Sequence, residues 1–303
     1  MSDNNIDNNN VDTVRDEQEW IESPDGWNDP TTASINDDDD DDDEETAMNF
    51  LFANDNNNNN KDPSDVFSFV MSPTSDTIHL EGYQLDSDET ARSTGVTLWG
   101  AAPQLAQYLV DHADRVIRGR RVVELGAGLG LCGIVAHRLG ASRVLLTDGD
   151  THALRQMRVN VQKNCVGMKN NDNKEEEQTI HCQQLLWGNP TANDNKEKDT
   201  TTTLSSLSYA NAFREQHGRF DVVLGADVVY TEASLGPLLD TVSTLLRLDD
   251  GNDNSDRGQF VLSRQTRWNN VADETVLEAA AERNLECTSE PTKGIFVFQW
   301  KKK

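Results

Sequence analysis

The sequence is poor in cysteine and has no metal-ligand spacing. Its four cysteines, Cys132, Cys165, Cys182 and Cys287, form no C-x-x-C pair. That argues against a zinc site or a disulfide scaffold and suits an intracellular chain with reduced, buried thiols. The six histidines are scattered and make no metal triad, so no metal is expected. Long apolar runs are missing too, so no membrane-spanning helix is expected. The opening residues, MSDNNIDNNN, have neither a basic stretch nor an apolar core, so no secretory signal is expected. Positive charge is nearly absent from the first part of the chain. Residues 1–90 hold 26 of the 53 acids, and Arg15 and Lys61 are the two bases there. Such a leader disfavours nonspecific nucleic-acid binding and anionic membrane surfaces. Residues 91–303, with 27 acids and 25 bases, have the balance of an ordinary globular domain.

What is present divides the 303 residues into an acidic, Asn-rich leader over 1–62 and a domain over 63–303. The leader carries an unbroken acid run, 37–45, and cannot bury enough apolar surface to offset the entropy of ordering. Its islands, Trp20-Ile21 with Trp27 and the segment 48–52, read as sticky spots or as a docking segment for a basic partner. Within 66–90, VFSFV (66–70) and TIHL (77–80) predict a small antiparallel hairpin followed by a polar linker. The core is expected over 95–303. It opens with a helix across 99–116, with Pro103 in its first turn. Further helices are expected at 150–160, 204–217, 235–248 and 270–283, with polar loops at 167–178 and 189–203. Strands are expected at 180–185, 220–226, 259–263, 285–289 and 294–300. With the two strands of the segment described next, that makes seven. The fold class is α/β, a doubly wound Rossmann-like sheet with an antiparallel last strand and the extra N-terminal hairpin.

The segment 121–149, RVVELGAGLGLCGIVAHRLGASRVLLTDG, reads as strand, glycine turn, helix and strand. Glycines at 126, 128 and 130 let a ligand approach the backbone, and the new helix presents free N–H groups. Asp148 stands where an acid can take both hydroxyls of a ribose. Three cofactors compete. A dinucleotide expects GxGxxG, but here an acid, Glu124, precedes the loop where a pyrophosphate would have to lie. A P-loop fails because no GK[ST] follows. S-adenosylmethionine has no phosphate and carries an ammonium and a sulfonium, so an acidic strand end suits it best.

ELGAGLGLCG (124–133) with TDGD (147–150) resembles the seven-stranded methyltransferases. Trp99, Leu186-Trp187-Gly188 and Asp227-Val228-Val229-Tyr230 narrow the likeness to the protein-lysine methyltransferases labelled lysine methyltransferase family 16, or methyltransferase-like. The resemblance spans about residues 66–300 and implies a role for each matching position. Glu124 would face the methionine end of S-adenosyl-L-methionine, and Gly126, Gly128 and Gly130 would shape the turn beneath it. Asp148 would hold the ribose, Trp187 would lie by the adenine, and Trp99 would close the pocket. Asp227 and Tyr230 would line the meeting point of methyl donor and acceptor as catalytic residues. The acceptor implied is a lysine ε-amine of a non-histone protein.

Other readings stay open at this point. Trp99, Trp187 and Tyr230 also suit plain packing. Arg264, Gln265, Arg267 and Trp268 suit either a substrate rim or a solvated loop. The acceptor could instead be a small amine, another protein side chain or nucleic acid, and the absence of an NPPY-type motif disfavours the last. A binding protein without turnover is a rival of another class. The expected partner is a protein substrate of basic character, with no membrane, no nucleic acid and a monomeric chain. The expected compartment is the cytosol, with the nucleus also open.

Overall fold

The computed structural model describes residues 65–72, 76–165, 179–188, 209–248, 257–265, 271–288 and 294–302. The leader, the loops expected at 167–178 and 189–203, and the rim candidates Arg267 and Trp268 lie outside the described residues.

The expected hairpin is present. Strand β1 (Asp65–Ser72) pairs antiparallel with β2 (Asp76–Gly82) as a separate two-stranded sheet. The short helix α1 (Asp88–Arg92) follows, capped by the Ser87 hydroxyl at the N–H of Thr90. The helix expected across 99–116 is two helices, α2 (Ala101–Asp111) and α3 (Ala113–Val116). The break falls at His112, whose backbone leaves the helical region (φ −125°).

The main sheet alternates with helices: β3 (Arg121–Leu125), α4 (Leu131–Arg138), β4 (Arg143–Asp148), α5 (Thr151–Cys165), β5 (Ile180–Gln184), α6 (Tyr209–His217), β6 (Val222–Ala226), α7 (Glu232–Leu245), β7 (Gln259–Ser263), α8 (Asp273–Glu282), β8 (Leu285–Cys287) and β9 (Ile295–Trp300). The seven strands run in the order β5-β4-β3-β6-β7-β9-β8. The first five are parallel, and β9 lies antiparallel between β7 and β8.

The apolar strands alternate between two buried layers, as the two-residue period of a strand requires. Val122, Val144, Leu146, Val222, Leu224 and Val261 face the hairpin and α2 to α5. Val123, Leu125, Leu145, Val223, Phe260 and Leu262 face α6 to α8. Strand order reverses between β3 and β6, which opens a crevice at their C-terminal ends.

Two helix-borne amides bind the hairpin to the sheet domain. On α5, Asn160 and Asn164 are one turn apart and buried. Asn164 Oδ1 accepts from the His79 N–H (3.1 Å), and its Nδ2 donates to the His79 carbonyl (2.8 Å). Asn160 does the same with Glu81, at 2.8 and 3.0 Å. The two side chains stand in for a neighbouring strand along one edge of β2. Ion pairs from Arg138 to Asp76 and from Lys163 to Glu81 reinforce them.

Candidate cofactor and acceptor site

The crevice at the ends of β3, β4, β6 and β7 holds the residues that the motifs single out. After β3, the backbone turns through Gly126, Gly128 and Gly130 at φ of 62°, 53° and 86°. Those values lie in the left-handed region, where side chains are strained. Space is also short. A Cβ on Gly126 would lie 2.8 Å from Val228 Cγ1 and 3.5 Å from Trp187 Cζ2. One on Gly128 would lie 3.0 Å from the carbonyl oxygen of Gly95. The turn therefore touches Trp187 and the segment around Gly95, both far off in sequence.

Glu124 points into the layer of α4 because it alternates with Val123 and Leu125 on β3. Its side chain is buried, and Oε2 accepts the Gly133 N–H at 2.7 Å. Burial pushes its carboxyl up to about 8, partly offset by the Gly133 N–H and the Cys132 thiol, and Asp148 adds to the rise. Asp148, at the end of β4, accepts the Gly128 N–H at 3.0 Å and the Asp150 N–H at 3.0 Å. It too is raised, chiefly by burial. Asp150 takes the N-terminal end of α5, accepting the His152 N–H at 2.8 Å. That leaves Asp148 tied to the glycine turn.

A cavity opens over this turn. Its walls include Thr97, Trp99, Ala102, Glu124, Gly126 and Leu129. The Trp99 indole N–H donates to the Thr94 carbonyl at 2.8 Å, folding residues 94–99 into a roof. Among the described residues lining the cavity there is no Lys, Arg or His. Glu124 and a bare glycine turn therefore meet an apolar wall. A pyrophosphate would find no cation there, whereas a phosphate-free nucleoside needs none.

At the end of β6, Asp227 takes a left-handed conformation (φ 54°). Its Oδ2 accepts the Ala101 N–H at 3.1 Å and its Oδ1 the Gln265 N–H at 3.0 Å. Tyr230 is 54% exposed. Trp187 lies half-buried against the layer that contains Val228.

The rim reading fails for Arg264. It is fully buried at the end of β7, where it donates to the Val271 carbonyl and pairs with Asp273 at 3.1 Å. It holds the start of α8 in place instead of facing solvent. Gln265 lies over Gly100, where a Cβ would fall 2.4 Å from its Nε2.

Sequence reasoning missed Thr97, Gly95 and Asn160. Asn160 also donates to the Leu129 carbonyl at 3.1 Å, which links the hairpin clamp to the glycine turn. A signal existed: Asn160 falls on the same helix stripe as Leu154, Met157 and Val161, where a polar residue needs a reason.

The family profile described as "Lysine methyltransferase" matches residues 81–270. The Protein N-terminal and lysine N-methyltransferase efm7 of Neurospora crassa is 26% identical over 237 residues, covering 74% of each chain. The Protein N-lysine methyltransferase METTL21A of Mus musculus is 33% identical over 162 residues, 54% of this chain and 60% of that one. Its Danio rerio counterpart is 30% identical over a stretch of the same length and coverage. The chain thus spans about three quarters of the fungal relative and three fifths of the two vertebrate ones.

Proposed function

The chain belongs to the lysine methyltransferase family, and on that premise we propose that it transfers a methyl group from S-adenosylmethionine to a lysine side chain of a protein. The observation that carries the reading is the cavity over the glycine turn, with Glu124 in its lining, no base among the described lining residues, and Asp148 bonded to that turn through the Gly128 N–H. S-adenosylmethionine supplies a methyl group on a positively charged sulfonium, activated for transfer to nitrogen. Glu124 offers a hydrogen-bonding carboxyl to the methionine end, and Asp148 holds the ribose hydroxyls. The backbone of Gly126 and Gly128 admits the ligand closely, while Trp187 and Trp99 close the two sides.

A lysine ε-amine has a reference pKa of about 10.4 and must lose a proton before it can attack. The apolar wall of Leu98, Trp99, Ala102 and Ala226 disfavours the charged amine and eases that loss. Tyr230, exposed three residues after Asp227, offers a ring face or a hydroxyl to the incoming cation. We infer a basic substrate segment, because 26 of the acids precede residue 91 and attract positive charge.

The test is transfer from S-adenosylmethionine labelled on its methyl group into a cell extract, followed by separate protease and nuclease digestion. The proposal expects label that protease solubilises and nuclease leaves intact. Label released by nuclease, or found in small molecules, would assign another acceptor. Cofactor binding without any transfer would make the chain a binding protein.

A further inference from the structure

Helix α2 begins at Gly100, which has no side chain with which to cap it. The first helical N–H, that of Ala101, is instead bonded by Asp227 Oδ2 at 3.1 Å, across 126 positions of sequence. The other oxygen of the same carboxylate takes the N–H of Gln265 at 3.0 Å. The Asp227 N–H donates to the Ser263 carbonyl at 2.9 Å. One residue therefore joins the ends of β6 and β7 to the start of α2. Its left-handed backbone (φ 54°) is one that Asp, Asn and Gly tolerate better than other residues.

The contact is closed by a tight fit. The Gln265 amide lies over Gly100 so closely that a Cβ there would fall 2.4 Å from Nε2 and 2.7 Å from Oε1. The three residues before Gly100 are Thr97, Leu98 and Trp99, which form the roof of the cofactor cavity. The far end of that roof is fixed by the Trp99 indole on Thr94 and by Gly95 against Gly128. Its near end is fixed by Asp227.

We propose that Asp227 is a positioning residue: its carboxylate latches the roof of the cofactor cavity, through Ala101, to the acceptor side, through Gln265. On this proposal Asp227 acts on the reaction through the placement of Trp99 and its neighbours. Both carboxylate oxygens already serve backbone N–H groups, which is the work of a brace between elements. Loss of the brace loosens the roof, so cofactor affinity falls along with turnover. A residue that touched only the reacting amine would leave cofactor affinity alone. The proposal rests on the methyltransferase reading.

Asp227→Asn tests it. The amide is isosteric, yet its nitrogen must face one of the two N–H donors, so one latch bond is lost. Gly100→Ala serves as a control, because it displaces only the flexible end of the Gln265 side chain and leaves both latch bonds, made by backbone N–H groups, in place. S-adenosylhomocysteine affinity is measured by calorimetry at a temperature where thermal unfolding shows all proteins to be folded. Label transfer into a cell extract is measured beside it. Asp227→Asn is expected to bind roughly tenfold more weakly or worse, the loss corresponding to about one charge-assisted hydrogen bond, and to transfer less label, while Gly100→Ala keeps both. If Asp227→Asn binds like the wild type while transfer falls to background, Asp227 acts at the reacting atoms and the proposal is overturned. If neither quantity changes, the latch is idle and the proposal is overturned as well. Failure of the wild type to bind S-adenosylhomocysteine would remove the underlying reading and the proposal with it, a result distinct from equal binding by both. Should Gly100→Ala fail to fold, Asp227→Asn alone decides.

Discussion

Glu124 gives stability a pH dependence that a single substitution should erase. The carboxyl is buried against α4, with the Gly133 N–H at 2.7 Å and the Cys132 thiol as its hydrogen-bonding neighbours. Burial raises it from the ordinary 4.5 to about 8. The folded protein therefore holds a proton that the unfolded chain has already released across that interval. Stability from this group is full below about pH 4.5 and is lost as pH rises through about 8. At ~1.4 kcal/mol per pH unit the whole shift amounts to about 5 kcal/mol, a large part of a typical domain's stability. Between pH 6.5 and 8 the loss should be roughly 2 kcal/mol. His217 works in the opposite sense at lower pH. Burial, with Arg143, Arg121 and His181 nearby, lowers it to about 4, so its contribution is lost as pH falls. The buried Cys132 and Cys182 thiols are both pushed up, the second to about 12, and would interfere only at more alkaline pH. Urea unfolding from pH 6.5 to 8 therefore isolates Glu124. The wild type should lose stability with rising pH, while Glu124→Gln should be nearly flat and the more stable of the two at pH 8. Equal slopes in the two proteins would refute the assignment of a buried, protonated Glu124.

The hairpin clamp and the glycine turn give two more tests. Asn160→Ala removes three hydrogen bonds at a fully buried site and should cost about 3 kcal/mol; urea unfolding measures the cost, and faster amide exchange over residues 77–82 locates it. Gly126→Ala must hold a side chain at φ 62° with its Cβ 2.8 Å from Val228, so it should lose S-adenosylhomocysteine binding, read by calorimetry. Gly119→Ala carries a similar φ of 72° with nothing within 4 Å, so it should cost about 1 kcal/mol and leave binding intact.

Local patterns made the fold readable. Val122-Val123, 144–146, 220–226 and 259–263 are short apolar runs bounded by polar residues, and the sheet is built from them. The N-terminal hairpin was legible for a similar reason, since Phe67, Phe69, Ile78 and Leu80 alternate inward. Glu124, the glycines and Asp148 are clustered in sequence, so their meeting could be foreseen. Three other features depend on partners that the apolar pattern does not name. Asn160 reads as a helix-end residue until the edge of β2 is seen to need its amide. Arg264 reads as a rim cation until Val271 and Asp273 are seen to enclose it. Asp227 looks like a lone acid at a strand end, and its bonds to Ala101 and Gln265 span 126 and 38 positions.

The central claim is that the methyl acceptor is a lysine side chain of a protein. It is tested most directly by incubating the purified chain with cell extract and S-adenosylmethionine labelled on its methyl group, isolating the labelled protein, and identifying the modified residue after complete acid hydrolysis. The account predicts label that co-migrates with Nε-methylated lysine and is absent when Asp148→Ala replaces the wild type. Label on another amino acid, or label confined to RNA or metabolites, would contradict it.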